Sequence, residues 1–78
     1  MDKNNHLLKL GSQIRDFRKS TGISQEQLAL RAGVDRSYLG GIERGSRNVS
    51  FLTLVKIAAT LGCSVSDITK EIPENEDR

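Results

Sequence analysis

Four arginines, Arg31, Arg36, Arg44 and Arg47, fall within one short stretch of a 78-residue chain. Each guanidinium is a planar fork of donors that matches phosphate oxygens or the paired acceptors on a base edge, so the stretch suits a polyanion. The net charge of +2 understates how basic the main body is. Residues 1–70 carry 11 basic and 6 acidic side chains, a net charge of +5, whereas Glu71 to Arg78 hold four acids against one base. Modestly basic small proteins are common, so charge points to a partner class without fixing it. Reactive chemistry finds no support elsewhere in the chain. His6 lies near one end, Cys63 stands between Gly62 and Ser64, and no cluster of carboxylates or nucleophile with a base is present. One Cys and one His fall short of any zinc pattern, and a lone Cys excludes an intrachain disulfide and suits a reducing compartment. Neither an enzyme nor a metal or cofactor site is expected.

The arginines need a frame, and its elements are written in capping residues. Ser24-Gln25-Glu26-Gln27 is a capping box: the hydroxyl accepts from the third helical amide while Gln27 reaches back. Ile23 and Leu28 flank it as a hydrophobic staple. The same cap and staple recur at Val34-Asp35 with Leu39, Val49-Ser50 with Leu54, and Cys63-Ser64 with Ile68. They predict helices over residues 25–32, 36–44, 51–61 and 65–71. An earlier helix follows from Leu7, Leu10, Ile14 and Phe17, which recur at steps of three and four and end near Thr21. Gly22, Gly33, Gly45 and Gly62 each stand where a helix closes in the left-handed conformation. No period-two pattern appears, so the fold class is all-α with five helices. The expected organisation is a flexible N-terminus over residues 1–6, one domain over 7–71 and an acidic C-terminal tail over 72–78. Met1 leads into a polar stretch without the apolar run of a signal peptide, and Phe51 to Leu61 is too short to cross a bilayer. A soluble, intracellular protein with no membrane partner is expected.

Two short helices joined through Ala32-Gly33-Val34 form the tight connection of a helix-turn-helix between Ile23 and Arg44. On the second, Leu39 and Ile42 face inward, which leaves Arg36, Ser37, Gly40, Gly41 and Arg44 outward. Arg36 opposes the helix dipole by about 0.3–1 kcal/mol. Each mid-helix glycine costs about 1 kcal/mol relative to alanine. A stripped backbone beside an arginine suits close approach to another surface, such as the wall of a major groove. The alternative readings are close packing of the third helix on the second, for the glycines, and an incidental surface cation, for Arg36. The fourth helix is apolar nearly all round, with Phe51, Leu52, Leu54, Val55, Ile57, Ala58, Ala59 and Leu61. Either the other helices cover it fully, or part of it joins Val65, Ile68 and Ile72 in a dimer surface.

Taken together, Gly22-Ile23-Ser24-Gln25-Glu26-Gln27-Leu28-Ala29, Ala32-Gly33-Val34 and Ile42-Glu43-Arg44-Gly45 resemble the Cro/C1-type (XRE-like) helix-turn-helix of lambdoid phage repressors and Cro. The run from Asp35 to Ser50 is similar to the controller proteins of restriction–modification systems, which regulate their own genes and the endonuclease gene. The resemblance covers residues 8–70 and implies a five-helix, lambda-repressor-like domain. It also implies an autoregulating transcription regulator, prokaryotic or phage-encoded, acting in the cytoplasm at the nucleoid. Arg36 is expected to read guanine O6 and N7, and Ser37 a neighbouring base edge or phosphate. Gln25, at a helix start, is expected to hold a phosphate, and Tyr38, Arg44, Ser46, Arg47 and Asn48 to grip the backbone. Gly40 and Gly41 give close groove approach, and Arg18 with Glu43 matches a structural salt bridge of the repressors. The chain departs from them at Gly41, where a long base-contacting side chain is common, so DNA shape supplies part of the specificity.

One recognition helix spans few base pairs, and the family binds pseudo-palindromic operators as homodimers on half-sites about 34 Å apart. The dimer contact is expected from Val65 and Ile68 with one or two of Phe51, Leu54 and Ala58. Two dimers on adjacent sites are a further arrangement the resemblance allows. Glu26 is the candidate for a contact with RNA polymerase, although a first-turn acid also serves the helix dipole. A phage-type repressor or an antitoxin component is the alternative within the class. A helix-turn-helix module that binds only protein is the alternative outside it, against which Arg36, Arg44 and Arg47 speak.

Overall fold

Each predicted cap starts a helix. In the computed structural model, which describes residues 5–72, the order is α1 (Asn5–Thr21), α2 (Gln25–Ala32), α3 (Arg36–Arg44), α4 (Phe51–Leu61) and α5 (Val65–Thr69). Ser24, Asp35, Ser50 and Ser64 accept from the amides of Gln27, Tyr38, Thr53 and Asp67 at 3.0–3.1 Å. Gln27 and Asp67 return the bond to the cap amide, closing capping boxes at α2 and α5. The four staple residues Ile23, Val34, Val49 and Cys63 pack against a core that includes their partners Leu28, Leu39, Leu54 and Ile68. Gly22, Gly33, Gly45 and Gly62 all take positive φ at the helix ends. No strand occurs among the described residues.

Two boundaries differ from expectation. α1 starts at Asn5, so Asn5 and His6 are helical instead of frayed. α5 ends at Thr69, and the Ile72 amide donates to the Thr69 carbonyl at 3.0 Å, a turn that returns Ile72 to the core. The remaining residues of the expected flexible end and acidic tail, 1–4 and 73–78, lie outside the described residues.

Every helix gives the core at least one fully buried side chain: Ile14 from α1, Leu28 from α2, Leu39 and Ile42 from α3, Ile57 from α4 and Ile68 from α5. α3 rests chiefly on α1. α2 packs on both α3 and α4, and α5 closes against α1 and α4. α4 resolves the two readings of its apolar surface in an intermediate way. Leu54, Ile57, Ala58 and Leu61 are buried within the chain, while Phe51, Leu52 and Val55 stay exposed, the first two at 68% and 71%. Three residues expected at a dimer contact, Leu54, Ala58 and Ile68, are thus already covered by the chain's own helices. The surplus runs instead along Leu52, Val55 and Ala59, one helical stripe, with Phe51 beside it and Val65 half-buried nearby in sequence on α5.

The α5 capping box has a measurable electrostatic signature. Hydrogen bonds from Ser64, first from its backbone amide and then from its side chain, hold the Asp67 carboxyl below the ordinary aspartate range. A depressed folded-state pKa contributes stability that is present above the unfolded value and is lost as pH falls through the folded one. Carboxyl NMR titration should place Asp67 below an ordinary aspartate. In Ser64→Ala the midpoint should move back up; an unchanged midpoint would refute the side chain's part in lowering it.

Candidate nucleic-acid interface

α3 is short and cannot hold a pose by itself. Its C-terminal turn is fixed by a convergence of bonds from two other helices. Glu43 is only 3% exposed and accepts from Arg18 through both arms of the guanidinium, Nε to Oε2 at 2.8 Å and Nη2 to Oε1 at 3.0 Å. Gln25, the first residue of α2, donates from Nε2 to the same carboxylate at 3.1 Å. Arg18 also donates from Nη1 to the Ile23 carbonyl at 3.2 Å, which ties the α1–α2 turn into the set. Three of the four carbonyls that a helix end leaves unpaired find partners as well. Gly41 O accepts from the Ser46 amide, Ile42 O from the Gly45 amide and Glu43 O from Arg15 Nη2, at 2.9, 3.0 and 3.2 Å. Gly45 makes this ending possible, with φ at +79° where other residues are strained.

On the other side of α3, Gln25, Arg36, Ser37, Gly40 and Arg44 line an open groove of about 410 Å³. Arg36, Ser37 and Arg44 are exposed there, as their outward positions predict. Gly40 and Gly41 are not open backbone, however; both are buried. A Cβ on Gly40 would stand 3.2 Å from Arg44 Nη1 and 3.5 Å from Gln25 Oε1, so two long side chains fold over it. A Cβ on Gly41 would run into the Cγ of Arg47. Gly41 therefore makes room for a side chain of the chain's own loop, which corrects the expectation of a bare surface. Packing of α3 on α2, the alternative reading, fits Gly40, which faces Gln25 of α2, but not Gly41, whose neighbour is the loop.

The segment from Ser46 to Val49 is built by residues expected to grip phosphate. Tyr38 Oη donates to the Asn48 carbonyl at 3.0 Å, and the Arg47 guanidinium lies over the Tyr38 ring, 5.2 Å from its centroid. Asn48 Oδ1 accepts from the Val49 amide at 2.9 Å, and Ser46 Oγ donates to Gly41 O at 3.2 Å. Gln25 is in the same position, with its amide nitrogen given to Glu43. These side chains keep acceptor capacity or further donors for a ligand, yet each already orders its own neighbourhood.

Sequence reasoning paired Arg18 with Glu43 but missed three supports. Gly11, buried in α1, lies against the carbonyls of Ile42 and Glu43; Arg15 donates to the second; and Leu8 touches Gly45. A signal was available, because a mid-helix glycine is as costly in α1 as in α3. Among the described residues no group of His, Cys, Asp or Glu gathers to hold a metal ion, and no helix is long and apolar enough to cross a membrane.

Two capped helices joined by a tight turn, with arginines around a groove on the outer face of the second, define a helix-turn-helix DNA-binding domain. The chain belongs to the Cro/C1-type helix-turn-helix family, whose sequence model, described as Helix-turn-helix, matches residues 14–68. It is 39% identical over 66 residues to the control protein C.MunI of a Mycoplasma species, covering 83% of this chain and 89% of that one. Its structure resembles the restriction–modification controller protein C.AhdI from Aeromonas hydrophila, with a TM-score of 0.82, 43% identity, and 83% and 98% of the two chains covered. It also resembles the biofilm master regulator SinR, solved in complex with DNA, with a TM-score of 0.73, 42% identity, and 76% and 95% covered. The protein is a DNA-binding transcription regulator similar to restriction–modification controllers.

The carboxylate at the centre gives a direct test of how α3 is held. Arg18→Ala removes both guanidinium bonds from a carboxylate that is buried in the parent chain, an imbalance that costs about 3–5 kcal/mol. Urea unfolding should show that loss, and adding Glu43→Gln should recover part of it. A double variant no more stable than Arg18→Ala would mean that the buried charge is not the source.

Proposed function

We propose that the protein is an autoregulating controller that binds a pseudo-palindromic operator in its own upstream DNA as a homodimer. The observation that carries this reading is the groove on the outer face of α3, with Arg36, Ser37 and Arg44 exposed around the floor at Gly40. Arg36, in the first turn of α3, is assigned to a guanine edge through its two-pronged guanidinium, and Ser37 to the adjacent base or phosphate. Gln25, Tyr38, Arg44, Ser46, Arg47 and Asn48 are assigned to the phosphate backbone, where they set register without reading sequence. The second copy is assigned to the Leu52, Val55 and Ala59 stripe of α4, with Phe51 and Val65. Exposed apolar side chains in a row on one helix are the kind of surface a partner covers. A regulator outside a restriction–modification system is the second reading, favoured by the likeness to SinR. A methyltransferase and an endonuclease encoded in the neighbouring genes would decide for the first, and their absence for the second.

Footprinting on the upstream DNA separates the assigned roles. Arg36→Ala should cost about 1–3 kcal/mol on the operator and relax its sequence preference. Arg47→Ala should weaken operator and random DNA alike and reduce the salt slope by about one. An Arg36→Ala variant with an unchanged footprint, equally resistant to random competitor, would remove Arg36 as the reader.

Sedimentation tests the dimer. The parent chain should sediment as a dimer at tens of micromolar, and Leu52→Glu with Val55→Glu should give a folded monomer with weakened operator binding. A parent chain that stays monomeric with and without DNA would overturn the dimer.

A further inference from the structure

We infer that one seam of α1, formed by Leu8, Gly11 and Arg15, sets the pose of α3 for DNA reading, and that Gly11 is its positioning residue. This rests on the reading that α3 carries the base contacts. The three residues recur at steps of three and four, so they share one face of α1, beside the apolar stripe that enters the core. Two successive turns of this face meet α3 backbone to backbone. A Cβ at Gly11 would lie 2.5 Å from the Glu43 carbonyl oxygen and 2.8 Å from its carbon, and against the Ile42 oxygen as well. One turn earlier, a Cβ at Gly45 would lie 2.8 Å from Leu8 Cα and 3.0 Å from Leu8 N. One turn later, Arg15 donates to the same Glu43 carbonyl at 3.2 Å.

Backbone cannot step aside as the end of an arginine can. A methyl group at position 11 needs ordinary contact distance, so α3 and α1 must part by about 1 Å. Binding constellations tolerate only about 0.5 Å of displacement before their geometry fails. The shift arises at the C-terminal end of a nine-residue helix whose reading residues, Arg36 and Ser37, sit at the other end. A tilt at the pivot is therefore carried along the whole helix to the groove. Glycine is poor in a helix interior, and alanine there would raise local helix propensity. A merely structural account thus predicts a folding effect alone; the positioning role predicts a selective loss on the operator.

The test compares Gly11→Ala and Arg36→Ala with the parent chain on the footprinted operator and on random duplex, with folding followed by circular dichroism. Gly11→Ala should keep its helix content and its affinity for random duplex, and lose about ten- to hundredfold on the operator, as a mismatched base pair does. Full operator affinity in folded Gly11→Ala overturns the positioning role. If Arg36→Ala has then lost its preference, α3 still stands as the reader; if it has not, both readings fall. Should Gly11→Ala fail to fold, Arg15→Met decides, since it removes the seam's hydrogen bond without crowding the contact. A selective operator loss of about tenfold supports the seam. An equal loss on both duplexes with a shallower salt slope marks Arg15 as a phosphate contact and overturns it.

Discussion

Glu43 puts a formal negative charge just beneath the face proposed to meet DNA, and its neighbours neutralise it on the spot. Both arms of Arg18 and the amide of Gln25 converge on one carboxylate, and the three residues come from three different helices. A buried ion pair adds little net stability, because desolvation offsets most of the Coulomb attraction. Its contribution here is geometric. A bidentate pair fixes both distance and plane, so α3 is keyed to α1 in rotation as well as in separation. Hydrophobic contact at Leu39 and Ile42 supplies the attraction between the helices but tolerates small slides. The carboxylate, with the close approach of Gly11, removes that freedom.

The same economy of parts runs through the loop after α3. Tyr38, Ser46 and Asn48 each make a bond within the protein, and Arg47 rests on the Tyr38 ring above Gly41. Ordering a loop and its long side chains at the moment of binding costs about 0.5–1.5 kcal/mol per side chain. A loop already folded against α3 has met most of that cost during folding. The price of prior order is that these donors and acceptors must share or exchange partners if they are to hold phosphate.

Much of the frame was legible because it is local. Each cap and staple depends on residues within five positions of one another, and all four appear as expected. The Ser24 box, the four caps, the glycine stops and the inward pair Leu39 and Ile42 need no tertiary knowledge. The errors come from long side chains and from the ends. Gly40 and Gly41 read as bare because helix periodicity places them outward, but periodicity does not show where arginines four and six residues later will lie. Leu54, Ala58 and Ile68 read as surplus because an apolar helix gives no sign of which side its neighbours cover. Gly11 escaped notice because its partner is the backbone of residues more than thirty positions away, and a backbone carbonyl carries no residue type to recognise.

The residues that hold α3 and the residues that face outward from it form two sets with little overlap. Gly11, Arg15, Arg18 and Glu43 grip its C-terminal turn, while Arg36 and Ser37 stand exposed in its first turn and join in none of those bonds. Gln25 alone touches both, at the groove and at the carboxylate. Such a division makes the first turn of α3 a replaceable vocabulary on a fixed grammar. If, as proposed, positions 36 and 37 read the bases, substitutions there can change the preferred sequence without disturbing the mount, and new target preferences lie within one or two mutations of a chain that still folds.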